Sequence, residues 1–244
     1  MTKEVSKAQI DRLGDRLRKG NITEADLRFL DQYRRSFTEA YEVVVGTIRR
    51  ELALEPTGRP AKSTTSISEK LRRESIRLTQ IQDIAGCRLI VPDISNQDSV
   101  VQSLQALFER TTVVDRRQQP SHGYRAVHVI VRYGGRMIEI QVRTELQHLW
   151  AELSEKLSDV AGPAIKYGGG DENIRGVLSR LSSVIAQEES LEIVVASMLT
   201  NNTTEEITRI QEGLSSVRQE TFRTFSDIIK RLEELKGRKD ALSD

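Results

Sequence analysis

The chain has 244 residues, and its 37 Lys and Arg nearly balance its 36 Asp and Glu, which gives a formal net charge of +1 at pH 7. So small a net charge excludes proteins that bind nucleic acid or membranes through bulk positive charge, and any basic site must be local. No apolar run approaches the length of a membrane span and the amino terminus is too polar for a signal peptide, so we expect a cytoplasmic protein without membrane contacts.

The length suits one sizeable α/β core with helical extensions, or two small domains. The single Cys87 cannot form an internal disulfide. Because it stands in the run Cys-Arg-Leu-Ile-Val, we interpret it as a small buried hydrophobe rather than a nucleophile.

The first part of the chain is predicted to be helical. Ala8 to Leu17 has apolar residues at helical spacing and is followed by a stop at Gly20. Thr23 can cap a second helix, and the apolar pattern beyond it predicts one long amphipathic helix. That pattern consists of Leu27, Leu30, Tyr33, Phe37, Tyr41, Val44, Val45 and Ile48. Both helices are interpreted as packing scaffold.

A basic segment follows the break at Pro56 to Pro60. Ser63, Thr64 or Thr65 can cap a helix that runs through Arg77. In the segment from Arg59 to Arg77, basic residues outnumber the acidic Glu69 and Glu74. A solvated helix face is the usual explanation of such charge. The basic residues are Arg59, Lys62, Lys70, Arg72, Arg73 and Arg77.

The middle of the chain predicts a sheet. Arg88 to Val91, entered through Gly86, is expected to be a central strand, Asp98 to Arg110 an amphipathic crossover helix, and Thr112 to Asp115 a short strand. Ala126 to Tyr133 and Met137 to Arg143 alternate with period two around Gly134-Gly135, which predicts a hairpin.

The return strand of that hairpin carries Glu139, Gln141 and Arg143 on one face. A carboxylate, an amide and a guanidinium in a row could bind a metal and a phosphate side by side. Polar residues that alternate along a strand are also typical of a solvated face, and this pattern alone does not separate the two interpretations.

Helices are predicted for the rest of the chain. Thr144 to Asp159 is expected to pack on the sheet, and residues 162–170 to form a mobile glycine-rich loop. A helix from Ile174 to Leu199 precedes a last helix capped by Thr203-Thr204 with Glu205-Glu206. The apolar register of this last helix slips after Val217, which favours packing on a globular body or a short helical pair over a long coiled coil.

Three ordered motifs carry a resemblance to a known family. They are GYRAVH at Gly123–His128, EIQVRT at Glu139–Thr144 and HLWAE at His148–Glu152. They resemble the synthetase domain of the RelA/SpoT family, whose alarmone synthetases move pyrophosphate from ATP to a guanosine nucleotide.

With the predicted elements, the resemblance implies an α+β fold in which a mixed, nucleotidyltransferase-like sheet of about five strands is flanked by helices. We expect an N-terminal helical region at 1–55, the synthetase core at 56–170 and a C-terminal helical region at 171–244. The histidines His122, His128 and His148 are not followed by Asp, so the His-Asp hydrolase domain of long family members is not expected.

On the ATP side, the resemblance matches Arg59, Lys62, Ser66-Ile67 and Lys70 to the pattern Arg-x-Lys…Ser-Ile-x-x-Lys that holds the phosphates. The spacing between Arg59 and Lys62 is one residue longer than in that pattern. Arg88 is expected to join this ATP-binding group. Basic side chains are required because three phosphates form a dense anion that gains charge on transfer.

The expected cofactor is Mg²⁺. Asp83 resembles the Asp of the family's Asp-Ile-Ala-Gly motif, which binds this ion. Paired with Glu139, it supplies two carboxylates, and substrate phosphates and water would complete the coordination. Asp83, Glu139 and Gln141 are therefore the expected catalytic residues, with Gln141 positioning Glu139 or the sugar.

On the acceptor side, Tyr124 is expected to stack on guanine, and Arg125 and Arg143 to contact phosphates. His128 either orients the site or is a satisfied core histidine. The preceding loop departs from the family, because Arg116-Arg117 and Pro120-Ser121 stand where relatives commonly carry Tyr-Ile and Pro-Lys.

The resemblance implies attack of a ribose 3′-hydroxyl on the β-phosphate of ATP, with AMP as leaving group, to make (p)ppGpp from GDP or GTP. Because the loop departs from the family, a toxin-type relative that makes adenosine alarmones or pyrophosphorylates the 3′-end of tRNA stays open. A non-catalytic nucleotide- or partner-binding module is the third alternative. The C-terminal helices are candidates for homo-oligomerisation or for binding a regulatory partner such as an antitoxin.

Overall fold

A computed structural model of the chain describes residues 6–198 and 204–241. Eight α-helices and five strands are formed in these residues. The helices are α1 (Lys7–Lys19), α2 (Glu24–Arg35), α3 (Thr38–Leu52), α4 (Thr64–Arg73), α5 (Ile94–Leu107), α6 (Glu145–Ala161), α7 (Glu172–Met198) and α8 (Thr204–Ala241). The strands are β1 (Thr57–Arg59), β2 (Ala85–Val91), β3 (Thr111–Asp115), β4 (Val127–Tyr133) and β5 (Arg136–Thr144). Short 3₁₀ helices cover Leu78–Gln80 and Pro163–Tyr167.

The five strands form one sheet in the order β1-β2-β5-β4-β3. The predicted α+β class, with a mixed sheet of about five strands flanked by helices, is confirmed. The sequence did not predict β1, which pairs antiparallel with β2 and places Thr57 opposite Arg88. Its residues are framed by Pro56 and Pro60, a composition typical of a turn, and only an edge strand tolerates such neighbours.

The predicted hairpin is confirmed. Gly134 and Gly135 have φ of +54° and +73°, the positive values that both central residues of a type I′ turn require. β4 and β5 thus flank a two-residue turn, which fixes the register of the two strands.

The prediction of one long helix from Thr23 to Ile48 is wrong, because the chain breaks between α2 and α3. The Ser36 N–H donates to the Gln32 carbonyl, and the Phe37 N–H donates only three residues back, to Arg34, at 3.1 Å. The Ser36 hydroxyl donates to the Tyr33 carbonyl at 2.5 Å, so a side chain takes up a carbonyl at the end of α2.

Two predicted helix bounds also shift, and side-chain contacts explain both shifts. α4 ends at Arg73 instead of Arg77, and its Leu71 carbonyl accepts from Nε of Arg18 at 2.8 Å. α5 begins at Ile94 instead of Asp98, because Asp93 Oδ1 accepts from the Asn96 N–H at 2.8 Å and so acts as an N-cap.

The chain divides into two compact units. The first consists of the residues up to Leu89 together with Val101–Val113 and His128–Gln141. Within it, α1 packs on α4, on the Leu78–Gln80 3₁₀ helix and on α2. Its fully buried side chains include Leu13, Leu17, Ile67 and Leu71, so the helical segment predicted as scaffold forms much of this core.

The second unit consists of Ile90–Val100, Val114–Val127 and the residues from Val142 onward. Within it, α6 packs on α7, on α8 and on the Pro163–Tyr167 3₁₀ helix. Trp150 is 4% exposed, as expected for a core residue, and its Nε1 donates to the Leu178 carbonyl at 2.8 Å. Phe225 of α8 is 2% exposed, so α8 packs on a globular body as its register slip predicted.

Three further points concern the region boundaries, the cap of the last helix and membrane spans. The boundaries of the three predicted regions, 1–55, 56–170 and 171–244, stay a prediction. Thr203, the predicted cap of the last helix, lies outside the described residues. Within the part of the chain that the structure describes, no helix combines the length and the apolar character that crossing a membrane requires.

Candidate functional site

The first unit gathers the residues predicted for the ATP side around Asp83. One oxygen of its carboxylate accepts from Lys62 Nζ at 2.5 Å and the other from Lys70 Nζ at 2.9 Å. The three side chains are only 16–20% exposed. Burial alone would raise the pKa of Asp83, but the charges of Lys70 and Lys62 outweigh it and hold the pKa below its ordinary value. Asp83 is therefore a partly buried, ionised carboxylate between two ammonium groups.

Local structure explains why the two lysines converge. The Lys62 N–H donates to the Ile84 carbonyl at 2.6 Å, which ties the segment before α4 to the entry of β2. Ser63 caps α4 by accepting from the Ser66 N–H at 3.2 Å. Lys70 lies one helical turn beyond Ser66, so the cap sets the position of the second lysine.

Glu139, on β5, is the second carboxylate of the first unit and is 8% exposed. Its Oε1 lies 3.0 Å from Nδ1 of His128, and its Oε2 accepts from Nε2 of Gln141 at 2.7 Å. Because an ionised carboxylate only accepts hydrogen bonds, His128 Nδ1 must carry the proton. His128 and Gln141 are thus the two side-chain partners of Glu139.

The pKa of Glu139 reports its surroundings. Burial would raise this pKa, but His128 and Gln141 lower it below the ordinary value of a glutamate. The charge of Asp83 acts in the opposite direction, so the two carboxylates lie within electrostatic reach of each other. Asp83 and Glu139, the two predicted metal ligands, are therefore both ionised and lie in the same region of the first unit.

A glycine permits the close approach of β2 to β5 at this point. A Cβ on Gly86 would lie 2.6 Å from the Glu139 carbonyl oxygen, closer than any side chain allows. Arg88 lies two residues further along the same face of β2 and is half-buried. Arg59 is exposed on β1 and pairs with Gly86 in the register. Cys87, between Gly86 and Arg88, is 4% exposed, as expected for a small buried hydrophobe, and burial raises its pKa to about 12.

The donor set fits a hard divalent cation that keeps other ligands. Asp83 and Glu139 are ionised oxygen ligands, which Mg²⁺ prefers. Among residues 6–198 and 204–241, no group of three or more His, Cys, Asp or Glu is placed to hold a metal. Two carboxylates without a third protein ligand leave coordination positions to water and phosphate oxygens, as is usual for Mg²⁺.

In the second unit, two of the predicted acceptor residues bind each other. Arg143 is 6% exposed, and its Nη2 donates to the Tyr124 hydroxyl at 3.0 Å. Its guanidinium carbon lies 5.0 Å from the centre of the Tyr124 ring, a cation–π contact that orients the ring.

The third predicted acceptor residue, Arg125, faces a carboxylate that the sequence did not indicate. Its Nε lies 3.7 Å from Oε2 of Glu189 on α7, and the side chains are 14% and 4% exposed. The other oxygen of Glu189 accepts from the Thr144 hydroxyl at 2.8 Å and from Gln147 Nε2 at 2.7 Å. Burial raises the pKa of Glu189, and these two hydrogen bonds oppose the rise.

The loop that departs from the family carries one structural arginine. Arg117 bonds Asp98 at 2.7 Å and Asp115 at 2.7 Å, and its own side chain is 19% exposed. It also donates to Gln97, a buried amide whose Nε2 donates to the Val142 carbonyl at 2.7 Å. The charge of Arg117 is thus neutralised within the second unit.

The predicted residues fall into two groups. The first unit holds Arg59, Lys62, Lys70, Asp83, Arg88, His128, Glu139 and Gln141, and the second holds Tyr124, Arg125 and Arg143. Their roles toward substrate stay predictions. Glu189 and Gln97 were missed because neither stands in a motif, and a polar residue in an amphipathic helix is ordinarily solvated.

Comparison with known proteins gives three related findings. A sequence model described as "Region found in RelA / SpoT proteins" matches residues 58–158. GTP pyrophosphokinase YjbM of Bacillus subtilis is 35% identical over 157 residues, which are 56% of this chain and 70% of that enzyme. An uncharacterized protein of Mycobacterium tuberculosis is 40% identical over 111 residues, 44% of this chain, and the chain spans only 41% of that relative's length.

Solved structures agree with these relatives. The small alarmone synthetase 1 of Bacillus subtilis, bound to its product pppGpp, superposes with a TM-score of 0.53 at 26% identity, over 73% of this chain and 100% of that one. A GTP pyrophosphokinase family protein of Streptococcus pneumoniae gives a TM-score of 0.53 at 24% identity, over 73% of this chain and 96% of that one, which is a likeness of fold.

Proposed function

The chain belongs to the RelA/SpoT family and contains its alarmone synthetase domain, and from this premise we propose that it transfers pyrophosphate from ATP to the ribose 3′-hydroxyl of GDP or GTP. The observation that carries the proposal is Asp83, held between Lys62 and Lys70 within electrostatic reach of Glu139. A merely structural ion pair has no need of a second buried carboxylate nearby, whereas phosphoryl transfer needs cations and carboxylates together.

On the donor side, Lys62 and Lys70 are proposed to bind the phosphates of ATP, with Arg88 and Arg59 as further contacts. Both ammonium groups are partly buried, which strengthens their attraction for an anion relative to a solvated lysine. Both contact Asp83, which holds the two ammonium groups side by side as a preorganised pair of charges.

Mg²⁺ is proposed to bind Asp83 and Glu139. When bound, this ion supplies positive charge beside the phosphates that react and beside the leaving group. Asp83 and Glu139 keep the negative charge that the ion requires, since the pKa of each carboxyl is below its ordinary value.

In the reaction itself, we propose that the 3′-oxygen of the acceptor forms a bond to the β-phosphorus of ATP while the bond to the bridging oxygen breaks. AMP leaves with that oxygen, and the hydroxyl proton passes to Glu139. His128 and Gln141 hold the two oxygens of Glu139 and so position it for that transfer. The basic group stabilises the charge that spreads over the phosphates.

GDP or GTP is proposed as the acceptor. The related small alarmone synthetase 1 of Bacillus subtilis has been solved bound to its product pppGpp. A tRNA acceptor would be expected to use an open basic surface, and Arg117 of the loop is instead bound to Asp98 and Asp115. For α7 and α8 we propose contacts with a second copy of the chain or with a regulatory partner such as an antitoxin.

Thin-layer chromatography of γ-labelled ATP with Mg²⁺ and GDP, GTP, ATP or tRNA as acceptor tests the proposal. We expect labelled product with GDP and GTP. Asp83→Asn and Glu139→Gln should lower the rate by at least about 100-fold, since each removes a charge that acts on the reacting phosphates. Asp15→Asn and Glu39→Gln, at exposed positions of α1 and α3, are matched controls that should keep the parent rate.

Each other outcome has a definite meaning. Labelled product only with ATP or tRNA as acceptor would overturn GDP and GTP as the acceptors and favour the toxin-type activity. If folded protein gives no product with any acceptor, the remaining alternative is a non-catalytic nucleotide- or partner-binding module. Parent rates in both Asp83→Asn and Glu139→Gln would overturn the assignment of the site.

A further inference from the structure

The second unit contains a cavity of about 600 Å³ between the segment Pro120–Arg125 and one face of α7. Its volume lies within the range of small-molecule sites, which is roughly 300–1,000 Å³. Two guanidinium groups, from Arg125 and Arg175, contribute to its wall, and none of the lining residues is acidic. Ile165 and Leu178 add an apolar part. A cavity with these walls suits an anion that carries an apolar or flat portion.

Arg125 is held in place by a carboxylate and still has hydrogen-bond donors available for a ligand. Glu189, fixed by Thr144 and Gln147, lies 3.7 Å from Arg125 Nε, a distance of charge attraction rather than of a hydrogen bond. Neither Arg125 Nε nor Glu189 Oε2 has a hydrogen-bond partner among the described residues. The guanidinium is thus oriented by a buried carboxylate and keeps donors for a ligand.

The opposite wall comes from α7. Arg175 Nη1 donates to the Gly168 carbonyl at 3.1 Å, which holds the exposed guanidinium beside the cavity. Ser182 is 4% exposed and lines the same cavity. A serine hydroxyl in a cavity wall can donate a hydrogen bond to a phosphate oxygen.

We propose that this cavity receives the 5′-polyphosphate of the acceptor nucleotide, with Arg125 and Arg175 as its charged contacts and Ser182 as a hydroxyl donor. This inference rests on the proposed function, since it places the acceptor of that reaction. It goes beyond that function because Arg175 and Ser182 lie outside residues 58–158, which match the family. α7 therefore contributes to the choice of acceptor.

The number of basic groups favours a diphosphate or triphosphate over a nucleoside or monophosphate. Two arginines can each take two phosphate oxygens, and the guanidinium fork suits that geometry. Glu189 is a positioning residue in this arrangement, because it contacts Arg125 and not the ligand.

Isothermal titration with GDP, without ATP, measures binding of the acceptor separately from the donor nucleotide. Arg175→Gln should weaken GDP binding by about 10- to 100-fold, the effect of losing one charge-assisted hydrogen-bond group, and Ser182→Ala by about two- to tenfold. The KM for ATP and the unfolding midpoint should stay unchanged in both. Arg180→Gln, an exposed arginine of the same helix that does not line the cavity, is the matched control and should bind GDP like the parent.

The outcomes separate this inference from the proposed function. Parent GDP affinity and parent acceptor KM in both Arg175→Gln and Ser182→Ala, with normal synthesis, would overturn the cavity assignment alone. GDP binding that depends on Arg175 in a protein that transfers no pyrophosphate would support the cavity and overturn the pyrophosphokinase.

Discussion

Glu139 stays ionised although it is buried, because His128 and Gln141 each hold one of its oxygens. A proton acceptor in this role has to be charged before the acceptor hydroxyl arrives. If Glu139 is the proton acceptor, its two partners set the pH range of the reaction, and the removal of His128 shifts that range in a direction that can be predicted.

His128→Ala should shift the acidic limb of the pH–rate profile to higher pH. His128 lowers the pKa of Glu139, so without it Glu139 takes up a proton at a higher pH and activity is lost earlier as the pH falls. The loss of a hydrogen bond to a charged group should also raise the activation free energy by about 1.5–3 kcal/mol at neutral pH. The measurement is kcat/KM for the acceptor across pH.

His128→Asn is the informative companion, because an amide can still donate to Glu139. It should restore part of the rate and return the limb toward the parent position. A limb that does not move in His128→Ala would contradict the role given to this histidine, whatever the loss of rate.

At this scale, motif spacing identified the carboxylates and lysines that the structure brings together around Asp83. It could not find the contact of Arg125 with Glu189, because the partners are 64 positions apart in the sequence and no motif includes Glu189. Contacts that depend on how a distant helix packs carry no local signature, whereas an N-cap such as Ser63 does.

Among the elements, the pair β2 and β5 determines where Glu139 lies. The strands approach so closely at Gly86 that a Cβ there would meet the Glu139 carbonyl oxygen at 2.6 Å. One missing side chain thus governs both the stability of the sheet and the placement of Glu139, the proposed proton acceptor.

Gly86→Ala should destabilise the protein by about 1–3 kcal/mol, the usual cost of overpacking, and reduce synthesis beyond the loss of folded protein. Gly46→Ala is the matched control, because a Cβ there has open space within α3. It should raise stability by about 0.5–1 kcal/mol, as replacing a helix-interior glycine by alanine does, and keep the parent activity. Urea unfolding and the chromatographic assay measure both, and equal stability of the two variants would contradict the close approach.

Periodicity predicted most elements but not all of their limits. The apolar stripe runs on from α2 into α3, so spacing alone could not show the break that Ser36 makes with the Tyr33 carbonyl. β1 was missed for a different reason, since its three residues take their structure from pairing with β2 and not from their own composition.

For the molecule as a whole, the C-terminal helices belong to a core. Leu178 and Ile185 of α7 and Phe225 of α8 are 1–2% exposed in the cluster that also contains Trp150. A chain cut near Asp171 would remove these side chains and expose α6. The assembly state should therefore be tested by changes on the outer face of α7.

That outer face carries Val177, Val184 and Leu191, spaced by seven residues and 43%, 45% and 50% exposed. A heptad stripe of this kind is typical of a helix that pairs with another helix. Val184→Gln with Leu191→Gln should therefore lower the assembled mass in size-exclusion chromatography with light scattering. Leu27→Gln, at a similarly exposed apolar residue of α2, should leave the mass unchanged. The same mass in the double variant and the parent would exclude self-assembly through this face.

The bridge of Asp83 with Lys62 and Lys70 has a consequence for the order of assembly. A polyphosphate that draws the two ammonium groups to itself leaves a partly buried carboxylate in need of a new cation, and a charge that is shielded from water and uncompensated is costly. Donor nucleotide and divalent ion should then raise each other's affinity by the same factor, as reciprocal linkage demands. Under the proposed function, the two lysines would thus exchange one anionic partner for another, and a divalent ion would take their place beside Asp83.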